Sequence, residues 1–299
     1  MSRQDRSFRM VWALIAAALS LSCARAALPV RPVPAVVQVD FIAVNHGDSI
    51  LVASSAGKSV LIDGGEAEAA DAVLAVLRKR GVCPLDMILL THPHADHAGG
   101  LAKVIDGCGA RMFMDSGHPH ASQVYARLLE RIEKRGIPLH QAVAGRRIDL
   151  GAGATLTLLG PPHPPIASST DEVNANSVVA RLALGQTSLL LTGDAEFAEE
   201  KWLLSKGEST LRATVLKVGH HGSRTSTSAD FLAAVAPRLA VISNRLGDAK
   251  HPHPETLERF RRAGVQILET AHEGTIHLEL DGETVAIHTE KNPVEVRLP

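Results

Sequence analysis

The segment Thr91-His92-Pro93-His94-Ala95-Asp96-His97 is the most informative stretch of this chain. It directly follows Met87–Leu90, a continuous apolar run that is typical of a strand buried on both faces. Two histidines separated by one residue can converge on one cation when the loop curls, and Asp96 and His97 then point toward a second position beside it. Ligand sites gather at the carboxyl ends of strands in layered folds, so this placement favours a metal site over a solvated polar loop.

Short strands and amphipathic helices surround this segment. Strands are predicted before it at 37–43, 49–53 and 60–62, with a helix at 67–80. After it, helices are predicted at 122–135, 195–205, 228–235 and 254–263, and strands at 155–159, 177–184, 188–192, 214–218, 239–243, 266–268, 275–280 and 284–288. Strand-rich halves interrupted by helices predict packed sheets with helices outside, in one domain.

The composition is that of a globular protein with an unusual histidine content. The chain has 299 residues, of which 45% are apolar and 21% charged, and this excludes collagen-like, disordered and multi-span membrane proteins. It contains 15 His but only 3 Cys. We therefore expect a metal to be bound through nitrogen and oxygen rather than sulfur.

The N-terminal residues 1–26 have the parts of a secretory signal peptide. Arg3, Arg6 and Arg9 precede an apolar run at 10–21, which is too short to span a membrane comfortably, and Ala24-Arg25-Ala26 offers a cleavage site. We expect export to the periplasm or beyond, with no transmembrane domain in the mature chain. A lipid anchor at Cys23 is the alternative. A proline-rich tether at 27–36, one domain at 37–290 and a tail at 291–299 complete the predicted organisation.

The mature chain is mildly acidic and poor in aromatic residues. Removing residues 1–26 takes away four Arg and one Asp, so the net charge moves from −1 to −4. Seven aromatic residues remain, which is poor material for stacking bases. Both properties argue against avid, non-specific DNA binding. Cys83 and Cys108 either form a disulfide or stay as two buried thiols.

Several motifs together resemble one known family. His92 to His97, followed by Ala98-Gly99-Gly100-Leu101, resembles the metal-binding motif of the metallo-β-lactamase superfamily, and Leu189-Leu190-Leu191-Thr192-Gly193-Asp194 is similar to its acidic-ligand strand. Val218-Gly219-His220-His221-Gly222-Ser223 and His251-Pro252-His253-Pro254 resemble the ComEC-like hydrolase domain of DNA-uptake competence proteins. The resemblance covers 37–290 and implies a four-layer αββα sandwich with a two-metal cleft along one edge of the sheets.

The resemblance also assigns metal ligands. It implies two divalent ions, Zn or Mn, one held by His92 and His94, the other by Asp96 and His97, with Asp194 bridging both and His220 as the last histidine ligand. We prefer His220 over His221, because adjacent side chains point in opposite directions when the backbone is extended.

The sequence departs from the wider superfamily in two places. The region around Asn174 contains no histidine where many members supply one, which leaves the first ion with fewer strong ligands and its identity open. His118 offers a substitute, although its loop is expected to lie over the site. Ala43-Val44-Asn45-His46 is the second departure, since ComEC-like domains usually carry an acidic residue and a glutamine there.

Asp96, Asp63 and His253 are the candidate catalytic residues. Asp63 would orient a ligand histidine or cap a turn, and His253 would donate a proton to a leaving oxygen, hold a phosphate, or lie exposed in a loop. Residues 223–226 would grip an anionic group or form a capped turn. Lys217 is expected to be a partly exposed strand residue.

Three functions are consistent with these residues. The leading hypothesis is a metal-dependent hydrolase with a binuclear site and a bridging hydroxide, acting on a phosphodiester in a small molecule or a nucleic acid. An acidic residue at 194 favours phosphodiesterase-type members of the family. The alternatives are a hydrolase of a small lactone, thioester or β-lactam, and a metal-stabilised binding module without turnover.

Overall fold

A computed structural model describes residues 35–167, 171–292 and 296–299. The predicted signal peptide at 1–26, Cys23 and the tether up to residue 34 lie outside these described residues. Within the described residues, no helix is both long enough and apolar enough to span a bilayer.

Strands and helices alternate along the described chain. The strands are β1 (Val37–Phe41), β2 (Ile50–Ser54), β3 (Ser59–Ile62), β4 (Met87–Leu90), β5 (Phe113–Asp115), β6 (Leu139–Gln141), β7 (Arg147–Gly151), β8 (Ala154–Leu158), β9 (Ala180–Leu184), β10 (Thr187–Leu191), β11 (Val215–Lys217), β12 (Leu239–Ile242), β13 (Gln266–Glu269), β14 (Ile276–Leu280), β15 (Val285–Thr289) and β16 (Val296–Leu298). The α-helices are α1 (Ala70–Arg80), α2 (Ala95–Ala98), α3 (Leu101–Gly107), α4 (Gln123–Lys134), α5 (Phe197–Ser205), α6 (Ala229–Val235), α7 (Pro254–Ala263) and α8 (Thr270–Glu273).

The strands form two sheets. The first has the order β16-β15-β14-β1-β2-β3-β4-β5-β6, and the second has the order β13-β12-β11-β10-β9-β8-β7. Alternate side chains of each strand point to opposite faces, so Leu89 of β4 and Leu189 of β10 meet in the core between the sheets. Their neighbours Ile88 and Leu190 face outward, into the separate cores beneath the helices.

Helices cover the outer faces of both sheets. On the first sheet, Leu77 of α1, Val104 of α3 and Leu128 of α4 pack in one outer core. On the second, α5, α6 and α7 contribute to the other, with Phe231 and Phe260 fully buried there. The layers are therefore helix, sheet, sheet and helix, and the predicted four-layer αββα sandwich is confirmed.

Strand direction brings the chemistry to one edge. In the first sheet β1, β3 and β4 run in the same direction, because β2 is antiparallel to both β1 and β3 and β4 is parallel to β3. In the second, β10, β11 and β12 are parallel. The loops that leave these strands at their carboxyl ends carry the histidines and aspartates described below.

The structure adds elements that the sequence pattern does not reveal. Helix α3 and the short strands β5, β6 and β7 were not predicted, and β6 is exposed along its length. The first sheet also extends past residue 290, where a tail was expected, because β16 pairs with β15. Cys83 and Cys108, whose pairing was left open, form a disulfide.

Candidate metal centre

The loop after β4 is held in place by Asp63, which follows β3. Asp63 is fully buried, and its carboxylate accepts hydrogen bonds from Thr91 N and Thr91 Oγ1, both at 2.7 Å, and from His97 Nδ1 at 2.8 Å. Burial raises the pKa of Asp63, while the nearby His97 ring lowers it. Its φ of 58° is in the left-handed region, so the chain turns sharply here.

These contacts fix which ring nitrogen of each histidine is protonated. The single hydroxyl proton of Thr91 goes to Asp63, so His92 Nδ1–H, 3.0 Å from that oxygen, must be the donor to it. His97 Nδ1–H donates to Asp63, and His221 Nδ1–H donates to the Ser243 carbonyl at 3.0 Å. In the neutral rings, all three Nε2 atoms therefore carry lone pairs available to a metal.

Asp194, which follows β10, lies among these nitrogens. Its Oδ1 is 3.3 Å from His97 Nε2, and its Oδ2 is 3.6 Å from His221 Nε2 and 3.8 Å from His92 Nε2. Burial opposes its ionisation, but His221 and His97 together lower the pKa of Asp194 well below its usual value. Both carboxylate oxygens of Asp194 therefore face imidazole nitrogens, and its role as a bridging ligand stays a prediction.

One group of four side chains has donor atoms close enough to share a cation. Asp96, His97, Asp194 and His221 each contribute one such atom, and these atoms lie within 4.8 Å of one another. The nearest of them to His221 Nε2 is Asp96 Oδ2, at 3.3 Å.

The buried polar atoms of this group fit a divalent ion. Within the described residues, His97 Nε2, Asp194 Oδ1 and His221 Nε2 are buried and have no hydrogen-bond partner. Leaving such atoms unsatisfied is unfavourable, and a cation would satisfy all three.

Protons compete with a metal at this group. Burial opposes protonation of His97, but Asp194, Asp96 and Asp63 together raise its pKa well above the usual value. A metal ion must displace that proton, so metal affinity is expected to rise with pH.

His92 and His94 form the other side of the cluster. His92 Nε2 lies 3.1 Å from His94 Nδ1, and burial, with the adjacent His97, lowers the pKa of His92 well below its usual value. His94 Nε2 lies 3.6 Å from Asp171 Oδ2, and the His120 ring is 5.4 Å from that of His94. The histidine that lies near His94 in the structure is therefore His120, whereas the sequence analysis offered His118 as the substitute ligand.

The backbone at His220 and His221 differs from the extended conformation that was expected. Both residues have left-handed backbones, with φ of 45° and 52°, so the premise of an extended chain was wrong. It is His221, fully buried, that joins Asp96, His97 and Asp194. His220 lies further out, with Nε2 3.9 Å from Asp194 Oδ2 and Nδ1 3.1 Å from Glu196 Oε1, and its role as a ligand stays a prediction.

Asn174 occupies the place where a histidine was missing. It is buried in a short 3-10 turn, its Nδ2 lies 3.4 Å from His220 Nδ1, and its Oδ1 has no hydrogen-bond partner among the described residues. An amide oxygen is a weaker metal ligand than an imidazole but suits Mn²⁺.

Two histidines that were not predicted as site residues lie at the cluster. The His46 ring is 4.7 Å from that of His221, and its Nε2 is 3.5 Å from Asp96 Oδ2. His251 stacks on His220 at 5.4 Å, and burial, followed by the charges of His220 and His221, lowers its pKa to about 4. Asp248 Oδ2 lies 3.4 Å from His46 Nδ1 and 3.9 Å from His251 Nδ1.

His253 has a structural contact instead. It is the N-cap of α7, and its Nδ1 accepts a hydrogen bond from Glu255 N at 3.2 Å. The histidine two residues earlier, His251, is the one that faces the cluster, so proximity does not support the proton-donor role expected for His253.

The expectations for Lys217 and for residues 223–226 also change. Lys217 is fully buried, not partly exposed, and pairs with Asp48. In the turn after His221, Ser226 Oγ donates to the Gly219 carbonyl at 2.6 Å and Thr225 Oγ1 donates to Glu196 at 2.7 Å. These hydroxyls are engaged in holding the turn, which favours the capped-turn alternative.

Comparison with known proteins identifies a family and relatives with similar sequences. The sequence profile of the metallo-beta-lactamase superfamily matches residues 42–244. The chain is 26% identical over 257 residues to ComE operon protein 3 of Bacillus subtilis, covering 80% of this chain and 32% of that protein. It is 32% identical over 237 residues to competence protein ComA of Neisseria gonorrhoeae, covering 79% of this chain and 31% of that protein. The chain thus spans about a third of the length of these curated relatives.

A solved structure resembles the fold. The metallo-beta-lactamase fold protein YhfI from Bacillus subtilis is 15% identical, with a TM-score of 0.49, and the match covers 80% of this chain and 98% of that chain.

Proposed function

Because the chain belongs to the metallo-β-lactamase superfamily, whose members are metal-dependent hydrolases, we propose that it hydrolyses phosphodiesters at two divalent ions bound on either side of Asp194. The observation that carries the proposal is the position of Asp194, whose Oδ1 lies 3.3 Å from His97 Nε2 and whose Oδ2 lies 3.8 Å from His92 Nε2. His92 and His94 would hold one ion, and Asp96, His97 and His221 the other.

Contacts within the chain orient the metal-binding side chains before an ion binds. Divalent ions, when bound there, activate water near neutral pH and stabilise negative charge on the attacked group. Asp63 orients the His97 ring by a direct hydrogen bond and the His92 ring through Thr91. Little reorganisation of these rings therefore accompanies metal binding. Gly47 permits close approach of the loop after β1, since a Cβ there would lie 1.8 Å from the Asp96 carbonyl oxygen.

Partly exposed imidazoles at the same cluster suit an anionic substrate. His220 is oriented by Glu196, and although burial opposes it, Asp194 and Glu196 raise the pKa of His220. His46 lies beside Asp96 and His251 beside His220, but burial lowers the pKa of both rings, so His220 is the one of the three whose pKa is raised. A ring that keeps its proton near neutral pH can donate to a phosphoryl oxygen, which favours phosphodiesters over neutral lactones.

The names of two matched relatives are consistent with the same substrate class. They are competence protein ComA of Neisseria gonorrhoeae and recombination protein 2 of Haemophilus influenzae. The resemblance of the GHHGS segment to ComEC-like domains points to a phosphodiester, in DNA or in a small molecule, as the bond cleaved.

A direct test uses bis(p-nitrophenyl) phosphate with the purified chain and Mn²⁺ or Zn²⁺. We expect turnover that a chelator abolishes and that Asp194→Ala removes, while Asp230→Ala, a change at an exposed aspartate of α6, leaves it unchanged. Nitrocefin and an acyl-lactone are assayed in parallel. Hydrolysis of either of these with no phosphodiester turnover would contradict the proposal.

Export remains part of the proposal. Disulfides persist in oxidising compartments, and the Cys83–Cys108 bond supports an exported chain. Fractionation of cells that express the full sequence tests this, and recovery in the cytoplasm with residues 1–26 still attached would contradict it.

A further inference from the structure

A buried lysine lies next to the metal centre. Lys217 ends β11, is fully buried, and places Nζ 2.7 Å from Asp48 Oδ2 and 2.8 Å from the Val218 carbonyl oxygen, to which it donates. Asp48 is also buried, and its Oδ1 is 3.8 Å from His221 Nδ1. Burying such a pair is seldom favourable compared with an apolar side chain at the same place. Packing alone therefore gives little reason for a lysine at this position.

Asp48 belongs to a second acidic group beside the first. Donor atoms of Asp48, Asp63 and His97 lie within 4.8 Å of one another, and all three residues are buried. His97 is shared, since its Nδ1 faces Asp63 and its Nε2 faces Asp194. Asp48 Oδ1 has no hydrogen-bond partner among the described residues. Two carboxylates and an imidazole at this spacing make a group that a divalent ion can bind.

We propose that the Lys217 ammonium is a tethered cation that neutralises this second acidic group, so that metal ions bind at Asp194 and not between Asp48 and Asp63. The proposal rests on the function proposed above, because it takes metal binding at Asp194 as given. A divalent ion at the second group would compete with His97 for Asp63 and turn the ring away from Asp194. The fixed positive charge 2.7 Å from Asp48 repels such an ion and leaves the Asp63–His97 hydrogen bond intact.

The test is the number of ions bound by Lys217→Met, which keeps an unbranched side chain one atom shorter and removes its charge. After dialysis against a fixed free Mn²⁺ concentration, we expect Lys217→Met to hold one more equivalent than the wild type by elemental analysis. Lys217→Met/Asp48→Asn, which removes both charges, returns to the wild-type number, and Lys201→Met is the exposed control. Equal numbers of ions in Lys217→Met and the wild type would overturn the proposal.

The melting temperature of each variant is measured with and without Mn²⁺. If Lys217→Met is destabilised without metal, Mn²⁺ should raise its melting temperature more than that of the wild type, since the ion takes the place of the ammonium. A Lys217→Met chain that Mn²⁺ does not stabilise, while Lys217→Met/Asp48→Asn folds, would also overturn the proposal.

Ion counts in an Asp194→Ala background distinguish failure of this inference from failure of the proposed function. Asp194→Ala should lose ions relative to the wild type, and adding Lys217→Met to Asp194→Ala should restore one equivalent. If Asp194→Ala binds as many ions as the wild type, the proposed metal centre is wrong. If Lys217→Met adds no ion in that background, the tethered cation is wrong.

Discussion

Asp63 shows how one buried side chain can prepare several ligands. It accepts hydrogen bonds from the backbone and hydroxyl of Thr91 and from His97, and Thr91 in turn accepts from His92. The orientation of two rings therefore depends on a residue that would not contact the ions directly.

Asp63→Asn should weaken metal binding about 10- to 100-fold, because an amide cannot accept hydrogen bonds through both terminal atoms. Isothermal titration with Mn²⁺ measures the change. Asp115→Asn is the matched control, since Asp115 is a buried aspartate at the end of β5 in the same sheet and accepts a hydrogen bond from Tyr125 Oη at 2.5 Å. Equal losses in the two variants would show that the effect of Asp63 is general destabilisation.

The adjacent imidazoles of His220 and His221 provide a second comparison at one site. His221→Ala should lower metal affinity by about 100-fold or more, and His220→Ala by less than about tenfold, because the loss of a ligand exceeds the loss of a supporting contact. The same titration decides between them, with circular dichroism to verify folding. A larger loss in His220→Ala would restore the assignment made from sequence.

Residue identity could be predicted at most positions of the cluster, but geometry could not. His92, His94, Asp96 and His97 were named from their spacing and their position after a strand, and Asp194 was named from the family resemblance. Choosing between His220 and His221 needed the backbone conformation, and two consecutive left-handed residues that are not glycine are rare enough that no pattern predicts them. His46 and His251 were missed because their loops meet the cluster only in the folded chain.

At the level of elements, α5 connects the helix layer to the turn that carries His221. Glu200 of α5 is buried, and its carboxylate accepts hydrogen bonds from Thr227 N and from Ser228 N, at the start of α6. Burial raises its pKa to about 7, against the opposing effect of these N–H groups.

The raised pKa of Glu200 predicts a pH-dependent stability. The group binds its proton more tightly in the folded chain, so its favourable contribution is present below about pH 4.5 and is lost as pH rises to about 7, a change of about 3 kcal/mol. Glu200→Gln should reduce the slope of the free energy of unfolding against pH, measured by urea denaturation of chelated protein between pH 4.5 and 8, while buried Glu199, whose pKa is also raised, keeps part of it. Glu283→Gln, at an exposed position, should keep the full slope, and a slope in Glu200→Gln as steep as that of the wild type would contradict the assignment.

Elements with a strong local signal were predicted closely, and others were not. Strand β4 and helix α7 have the predicted bounds, because an apolar run and a proline-to-glycine helix pattern are strong local signals. Strands β5 and β6 are held by pairing with strands that are distant in the sequence rather than by their own composition, so local sequence carried no signal for them. Strand β7, which was also missed, pairs with the next strand along the chain, β8.

At the level of the whole molecule, the disulfide contributes to stability away from the chemistry. Cys83 follows α1 and Cys108 follows α3, at a sequence separation of 25. The bond joins elements of the first helix layer, whereas the metal centre lies at the sheet edge.

Replacing both cysteines by alanine should lower the free energy of unfolding by about 3 kcal/mol, the value expected for closing a loop of this length in the unfolded chain. Thermal and urea denaturation measure the loss. Turnover of bis(p-nitrophenyl) phosphate at a temperature where both proteins are folded should stay within about twofold. A loss of turnover with little loss of stability would mean that the disulfide affects the metal centre.

The ligands come from both halves of the sandwich, and this has a mechanical consequence. His92 and His97 follow a strand of the first sheet, and Asp194 and His221 follow strands of the second. An ion shared among them is a non-covalent cross-link between two sheets that pack face to face through an apolar core. Chelation should then increase amide hydrogen exchange on both sides of that seam at once, and loading with metal should slow the separation of the two halves.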